Sequence, residues 1–455
     1  MEKVINIIET ATNKKVISMP ELTETWLSWY KGNVEKFHNY KIFNGRKHID
    51  CVRRTLNMPK KVSEDWANLL LNEKTDVNIG NEQQEKLDKL LEETRFWQKG
   101  NAGIELSFAL GNGAFVEGFD EKGNARLQFV NAPKIFPLTI DQNKVTESAF
   151  ANINTNNAVI QIHTLNDSGN YQIRTIKCKV ENGKVGEITN DDVLDTESSI
   201  PWFQFIKPNI ANNIDINSPL GISIYANAID TLAGVDLAYD GYCEEMRICR
   251  PRVFVDKKLV TYVDGEERYI FDPNDTGYHY FGGEDSANTE PIKFYNPALR
   301  TTEYYNGINN TLNLLSSKVG FGENHYRFDK GGIATATQVI SENSEMFRTL
   351  KKHEILLNDV IIDVCKALMY IHNEFTNSSE KFDLKANIEV KFDDSIIEDK
   401  ETQKLSDRQD ISLGVMSKVQ YRMKWYNEDE ATAKKNIEDI EESSRSSMSN
   451  FFSEE

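Results

Sequence analysis

The sequence predicts an α+β chain, and three observations carry that class. Residues 115–205 alternate apolar and polar side chains with a period of two. The segments on either side repeat every three to four residues, and they precede and follow the alternating block instead of interleaving with it, which excludes a doubly wound parallel fold. The 455 residues suffice for several folding units at roughly 100–200 residues each. A content of 39% hydrophobic and 27% charged residues is globular, and no apolar run approaches the roughly 18–20 residues of a membrane helix.

Met1-Glu2-Lys3-Val4-Ile5-Asn6 lacks the basic-then-apolar order of a secretory signal, so a cytosolic origin is expected. The first hundred residues read as aromatic-rich helical segments, with Trp26, Trp29 and Tyr30 followed by Phe37, Tyr40 and Phe43. Val62 to Glu73 predicts an amphipathic helix with Trp66, Leu69 and Leu70 on one face. Ser63 is its expected N-cap, and Glu64 and Asp65 sit near the positive end of its dipole. Leu87 to Trp97 repeats the pattern. In the alternating block, strands such as Ala158–His163 and Tyr171–Ile176 are separated by the turn sequences Asp167-Ser168-Gly169-Asn170 and Glu181-Asn182-Gly183.

Ser218-Pro219 announces a helix running to about Met246, because serine caps and proline is favoured at the first helical position. Ile222, Tyr225, Ile229, Leu232, Tyr239 and Met246 keep helical spacing, while Asp236, Asp240 and Glu244 fall at i, i+4 and i+8 on another face. Such a row costs an isolated helix a few tenths of a kcal/mol per pair. It reads either as a solvated face or as the wall of a water-filled passage for a polyanion.

Arg250-Pro251-Arg252 stops that helix, and residues 253–299 hold short strands, Val253–Val255 and Arg268–Phe271, with the turn Gly282-Gly283. A small β module is thus inserted between two helices. The second, Thr301 to Val319, sets Tyr304, Ile308, Leu312, Leu315 and Val319 against a nearly uncharged face that includes Asn306, Asn309 and Asn313. A loop follows, with glycines at both ends and Phe321, His325, Tyr326, Arg327 and Lys330 within. Apolar residues from Ala336 to Phe375 then keep a helical step over some forty residues, about 60 Å at 1.5 Å per residue, as the spine of an elongated subunit would. A strand at Asn387–Phe392 precedes two further helices, for which Ser417–Gln420 and Asn427–Glu430 have capping-box spacing; Ser443 to Glu455 is expected to fray.

The charge balance, 53 basic against 71 acidic residues, is −18 and argues against electrostatic wrapping of nucleic acid. Five cysteines without C-x-x-C pairing support neither a disulfide framework nor a zinc site, and no GxxxxGK(S/T) loop, H-E-x-x-H or G-x-S-x-G pattern occurs. No cofactor and no enzyme activity are indicated. His48 and Asp50 share a strand face without a third metal ligand and read as a surface pair. Asp393-Asp394 and Glu398-Asp399 either hold a divalent metal, as in a nuclease, or cap a helix beginning near Ile396.

The order of helix, inserted β module, partner helix, loop and very long helix resembles the portal proteins of tailed bacteriophages, most closely those of siphophages of Gram-positive bacteria. The runs that carry the resemblance are Asn57–Val62 with Trp66–Glu73, Gly221–Ala228, Ala334–Ser344, Phe392–Ile396 and Tyr421–Trp425. The resemblance implies a ring, usually of twelve copies, at one capsid vertex, through which double-stranded DNA is packaged and ejected. Its implied partners are the terminase large subunit, a head-tail connector, and major capsid and scaffold proteins, with no membrane. Residues 1–215 with 334–397 would form a wing, 216–249 and 300–319 the stem, 250–299 the clip, 320–333 the tunnel loop and 398–455 the crown. Within that frame Asp236, Asp240 and Glu244, or Asn306, Asn309 and Asn313, are candidates for a channel wall that does not adhere to phosphates. His325, Arg327 and Lys330 are candidates for transient phosphate contacts, and Phe321 and Tyr326 for packing against neighbouring loops; a plain surface connector is the alternative. The competing readings are a metal-dependent nuclease using Asp393, Asp394 and Glu398, and a non-portal head-morphogenesis or connector protein.

Overall fold

The structure, a computed structural model, describes residues 1–17, 20–43, 45–80, 82–181, 183–256, 278–281, 292–328, 336–376, 380–392, 400–426 and 428–451. The chain forms two compact units, Met1–Lys330 with Arg348–Phe392, and Gly331–Phe347 with Asp393–Glu455.

The larger unit begins with α1 (Glu2–Thr12), α2 (Pro20–Tyr30) and the single turn α3 (Glu35–His38), then the hairpin β1 (Asn39–Phe43) and β2 (His48–Val52). Tyr40 and Phe43, expected on a helix, therefore lie on a strand. His48 packs on Phe43 and Asp50 pairs with Lys41 at 3.4 Å. Helix α4 (Met58–Leu70) starts ahead of the expected Ser63. Pro59 fits its first turn because it needs no N–H there, and Asn57 takes the left-handed cap position at φ 51°. Ser63 is instead buried inside the helix and donates to the Pro59 carbonyl at 2.9 Å. After β3 (Asp76–Asn78), the Leu87–Trp97 pattern divides into α5 (Gln84–Glu93) and α6 (Phe96–Leu110), broken at Arg95, whose φ is 56°.

The alternating block is antiparallel sheet. Strands β4 (Gly113–Phe119), β5 (Ala125–Asn131), β6 (Ile135–Asp141), β7 (Lys144–Ile153), β8 (Asn157–Leu165), β9 (Tyr171–Glu181), β10 (Lys184–Asp195) and β11 (Phe203–Ile206) form a five-stranded sheet, β10-β9-β8-β7-β6, and a three-stranded one, β11-β4-β5. The period of two divides the faces: Ala158, Ile160 and Ile162 of β8 pack beneath Val4 and Ile8 of α1. On the opposite face Phe150 and Tyr171 meet Ala114, Val116 and Phe203 of the smaller sheet.

The helix expected from Ser218 begins eleven residues later, as α7 (Ile229–Ile248). Residues 219–225 are a buried non-helical segment wedged against the end of α6: Asn112 Oδ1 accepts the Gly221 N–H at 2.9 Å, and the Phe108 carbonyl accepts the Ile224 N–H at 2.9 Å. Only glycines permit this approach, since a Cβ on Gly221 would stand 2.2 Å from the Gly111 carbonyl oxygen. Tertiary hydrogen bonds thus displace the local Ser-Pro signal, and Ile222 and Tyr225 pack in the core instead of on the helix.

The inserted module is seen as β12 (Arg252–Asp256), parallel to β13 (Tyr278–Phe281) and antiparallel to β14 (Ile292–Tyr295); Arg268–Phe271 and Gly282-Gly283 lie outside the described residues. Helix α8 (Thr301–Lys318) follows, then α9 (Ala336–Phe375), the forty-residue helix the sequence predicts. Its last turns pack Ile371 on Trp202 and Phe375 on Phe119. Strand β15 (Glu389–Lys391) pairs with β3.

In the smaller unit, helices α10 (Lys400–Ser412), α11 (Lys418–Tyr426) and α12 (Glu430–Phe451) give three helices where two are expected, and Ser443–Phe451 continues as helix instead of fraying. The capping box at Ser417 is present: Ser417 Oγ accepts the Gln420 N–H at 3.1 Å, and Gln420 Oε1 accepts the Ser417 N–H at 3.0 Å. Asn427 of the second box lies outside the described residues.

Candidate functional site

The loop after α8 is docked through residue 328. Gly320 (φ 87°) turns the chain out of the helix and delivers Phe321 into a three-ring stack, 4.4 Å from Trp66 at 19° and 4.2 Å from His325 at 7°. Trp66 donates its indole N–H to the Val319 carbonyl at 3.1 Å, so α4 holds both the helix end and the loop. Tyr326 donates its hydroxyl to Asp65 at 2.9 Å. Burial first, and Asp65 second, push the Tyr326 phenol pKa up, so the group remains a donor. His353 closes the stack edge-on to Trp66 at 5.0 Å; its Nδ1 accepts from the Asn209 N–H, and burial lowers its pKa to about 3.

The asparagine face of α8 ties down the same loop. Asn313 Oδ1 accepts the Asn324 N–H at 2.7 Å and its Nδ2 donates to Asn324 Oδ1 at 3.1 Å, while Asn309 Oδ1 accepts the Phe328 N–H at 3.3 Å. Asn306 is exposed. Of the loop side chains, Phe321 is 2% exposed and Tyr326 half-buried. Phe321 therefore packs within its own subunit, not against a neighbouring loop as expected. Arg327 is exposed, and Lys330 lies outside the described residues.

Helices α7 and α8 run antiparallel. Gly234 faces Thr311 and Gly241 faces Tyr304, small positions that admit the facing side chains, and at the far end Arg300 grips Glu245 through two bonds of 2.9 and 2.7 Å. That bidentate pair pulls the Glu245 carboxyl down to about 2. At Asp236 and Asp240 the acidic row of α7 is neither the solvated face nor the open channel wall that the spacing offered as alternatives. Asp236 is 2% and Asp240 6% exposed. Asp236 accepts the Leu56 N–H at 2.9 Å and lies 3.1 Å from His38 Nε2, while His38 Nδ1 accepts the Val34 N–H, which directs the Nε2 proton to Asp236. Asp240 takes the Arg54 N–H and guanidinium, and Glu244 binds both Arg54 and Arg247. The i, i+4, i+8 spacing marks the stripe that the segment between β2 and α4 covers, and no local signal reports that His38 hydrogen-bonds to it and Arg54 pairs with it.

The chain matches the family described as "Phage portal protein, SPP1 Gp6-like" over residues 21–447. It belongs to the phage portal protein family. Two solved structures are similar to the portal chain: the neck of the native GTA particle computed with C12 symmetry (11% identity, 93% of this chain, 98% of that one, TM-score 0.45), and the virion of the native gene transfer agent particle (12%, 93%, 98%, 0.46). No curated protein matches. Membership of a structural family does not favour the nuclease reading; Asp393, Asp394 and Glu398 lie outside the described residues. The portal chain's loop anchors Trp66, Asp65 and His353 are not legible as such from sequence, because they come from helices far apart in the chain.

Proposed function

We propose that this portal chain forms a ring of twelve copies at one capsid vertex and that double-stranded DNA passes through it during packaging and ejection. The observation that carries the reading is the family match from residue 21 to 447, spanning the order α7, β12–β14 module, α8, docked loop and α9. In this reading α7 and α8 are the stem, 250–299 the clip that meets the terminase large subunit and later the head-tail connector, 1–215 with 334–397 the wing, and 398–455 the crown. The ring assembles with major capsid and scaffold proteins in the host cytoplasm. It acts without catalysis. Residues 320–333 are the tunnel loop, in which exposed Arg327, with Lys330, makes brief phosphate contacts. A chain of net charge −18 whose tunnel loop offers DNA only Arg327 and Lys330 releases few counterions, so a moving duplex is not held.

Electron microscopy with mass analysis of the full chain, alone and co-expressed with capsid and scaffold proteins, tests this. Closed rings with a duplex-wide channel are expected. A monomer in both preparations that cuts DNA on addition of magnesium would overturn the reading.

A further inference from the structure

The α7–α8 pair carries two apolar surfaces that, among the described residues, nothing in the subunit covers. One is a groove of about 440 Å³ lined by Leu56, Tyr239, Tyr242, Tyr305, Ile308 and the 64% exposed Phe328. The other consists of Leu237 and Leu314, 56% and 63% exposed. At about 100° per residue, Leu237 points roughly 140–200° away from Tyr239 and Tyr242, and Leu314 about 180° away from Tyr305. The two surfaces therefore lie on opposite flanks of the pair. Leu237 is also level with the groove: the facings Gly234 to Thr311 and Gly241 to Tyr304 place it at the height of Ile308, within the groove's span, with Leu314 about 9 Å further along the pair.

One exposed pair of opposite charges accompanies the two surfaces. Exposed Asp230 lies two turns before Leu237 on the same face of α7, and exposed Arg327 adjoins Phe328 at the groove. We propose that the groove receives Leu237 of a second copy of this chain, with Leu314 packing beyond its rim and Asp230 of one copy meeting Arg327 of the next. A contact between two different patches is heterologous and leaves a free knob and a free groove after each addition, so it propagates until it closes on itself. This inference rests on the ring reading above and names the contact that builds the ring. It also gives Arg327 a role between subunits.

The test uses the full chain under conditions in which the wild type forms rings, with mass photometry and electron microscopy as readouts and far-UV circular dichroism as the fold control. Leu237→Glu blocks the knob and Tyr305→Glu the groove; both positions are exposed, so the subunit fold is retained. Each variant is expected to raise the half-assembly concentration on the order of tenfold or more, the penalty for losing one buried apolar side chain. Mixed together, the two variants retain one competent contact and yield dimers but no rings. Asp230→Arg and Arg327→Asp each weaken assembly by about 1.5- to 5-fold per contact, and the double variant restores it. Rings of wild-type yield from Leu237→Glu and from Tyr305→Glu would overturn this contact while leaving the ring reading intact. A wild type that is monomeric even with capsid and scaffold proteins would overturn both.

Discussion

Replacing Phe321 with alanine tests the anchoring of the loop. The ring is 2% exposed and stacked between Trp66 and His325, and a buried phenylalanine truncated to alanine costs about 3–5 kcal/mol, of which stacking supplies roughly 0.5–1.5. The loss is bounded, because the loop can detach while the rest of the subunit stays folded. What remains to hold it includes the Tyr326–Asp65 hydrogen bond, worth about 1.5–3 kcal/mol to a charged acceptor, the Tyr326 N–H donated to Ser316 Oγ, and the bonds from Asn309 and Asn313 of α8. Phe321→Ala should therefore speed trypsin cleavage after Arg327 by an order of magnitude or more, with a smaller fall in the urea midpoint followed by tryptophan fluorescence. Phe321→Leu, which keeps most of the volume, should lose less than about 1.5 kcal/mol. Cleavage after Arg327 no faster than in the wild type, with an unchanged midpoint, would refute the claim that the stack holds the loop.

Asp236→Ala leaves the His38 Nε2–H buried without an acceptor, at about 1–3 kcal/mol, and removes the acceptor of the half-buried Leu56 N–H, and should lower the urea midpoint accordingly, whereas the like-charge row alone would predict a gain. His163 is buried between Phe150 and Phe203, and burial lowers its pKa from 6.5 to about 3. The unfolded chain thus binds a proton at this site that the folded chain refuses, so its contribution is present above about pH 6.5 and is lost as pH falls toward 3; His163→Phe should reduce the slope of stability against pH in that window by up to one proton. Burial shifts Glu117 upward, so this carboxyl acts in the opposite sense, and Glu117→Gln should gain stability over the wild type as pH rises above the ordinary carboxylate range. Ser417→Ala removes one half of the capping box and should cost α11 about 1 kcal/mol, seen as faster amide exchange in its first turn.

The elements that periodicity predicts are those whose burial repeats with their own geometry. The forty-residue α9, the antiparallel block and α8 were legible because each buries one regular face. The Ser417–Gln420 box was legible because all of its partners lie within one turn. Where expectation and structure part, long-range partners decide: Gly111 and Asn112 hold residues 219–225 out of the helix that Ser218-Pro219 signals, and Pro59 with Asn57 starts α4 before Ser63. The candidate site divides the same way. That residues 320–328 form a glycine-hinged loop rich in aromatic and basic side chains is visible in the sequence; that Phe321 and Tyr326 are turned inward onto Trp66 and Asp65 is not.

The sequence by itself determined the α+β class, the order of helix, β module, helix, loop and long helix, and the resemblance to portal proteins, because these depend on spacing along the chain. Only the tertiary structure decided that Asp236 and Asp240 are buried and paired, and that Asn309 and Asn313 of α8 bind their own loop. A carboxylate's spacing tells which face of a helix it occupies, but whether that face meets water or a histidine and an arginine from residues 38–54 depends on what the rest of the chain packs against it.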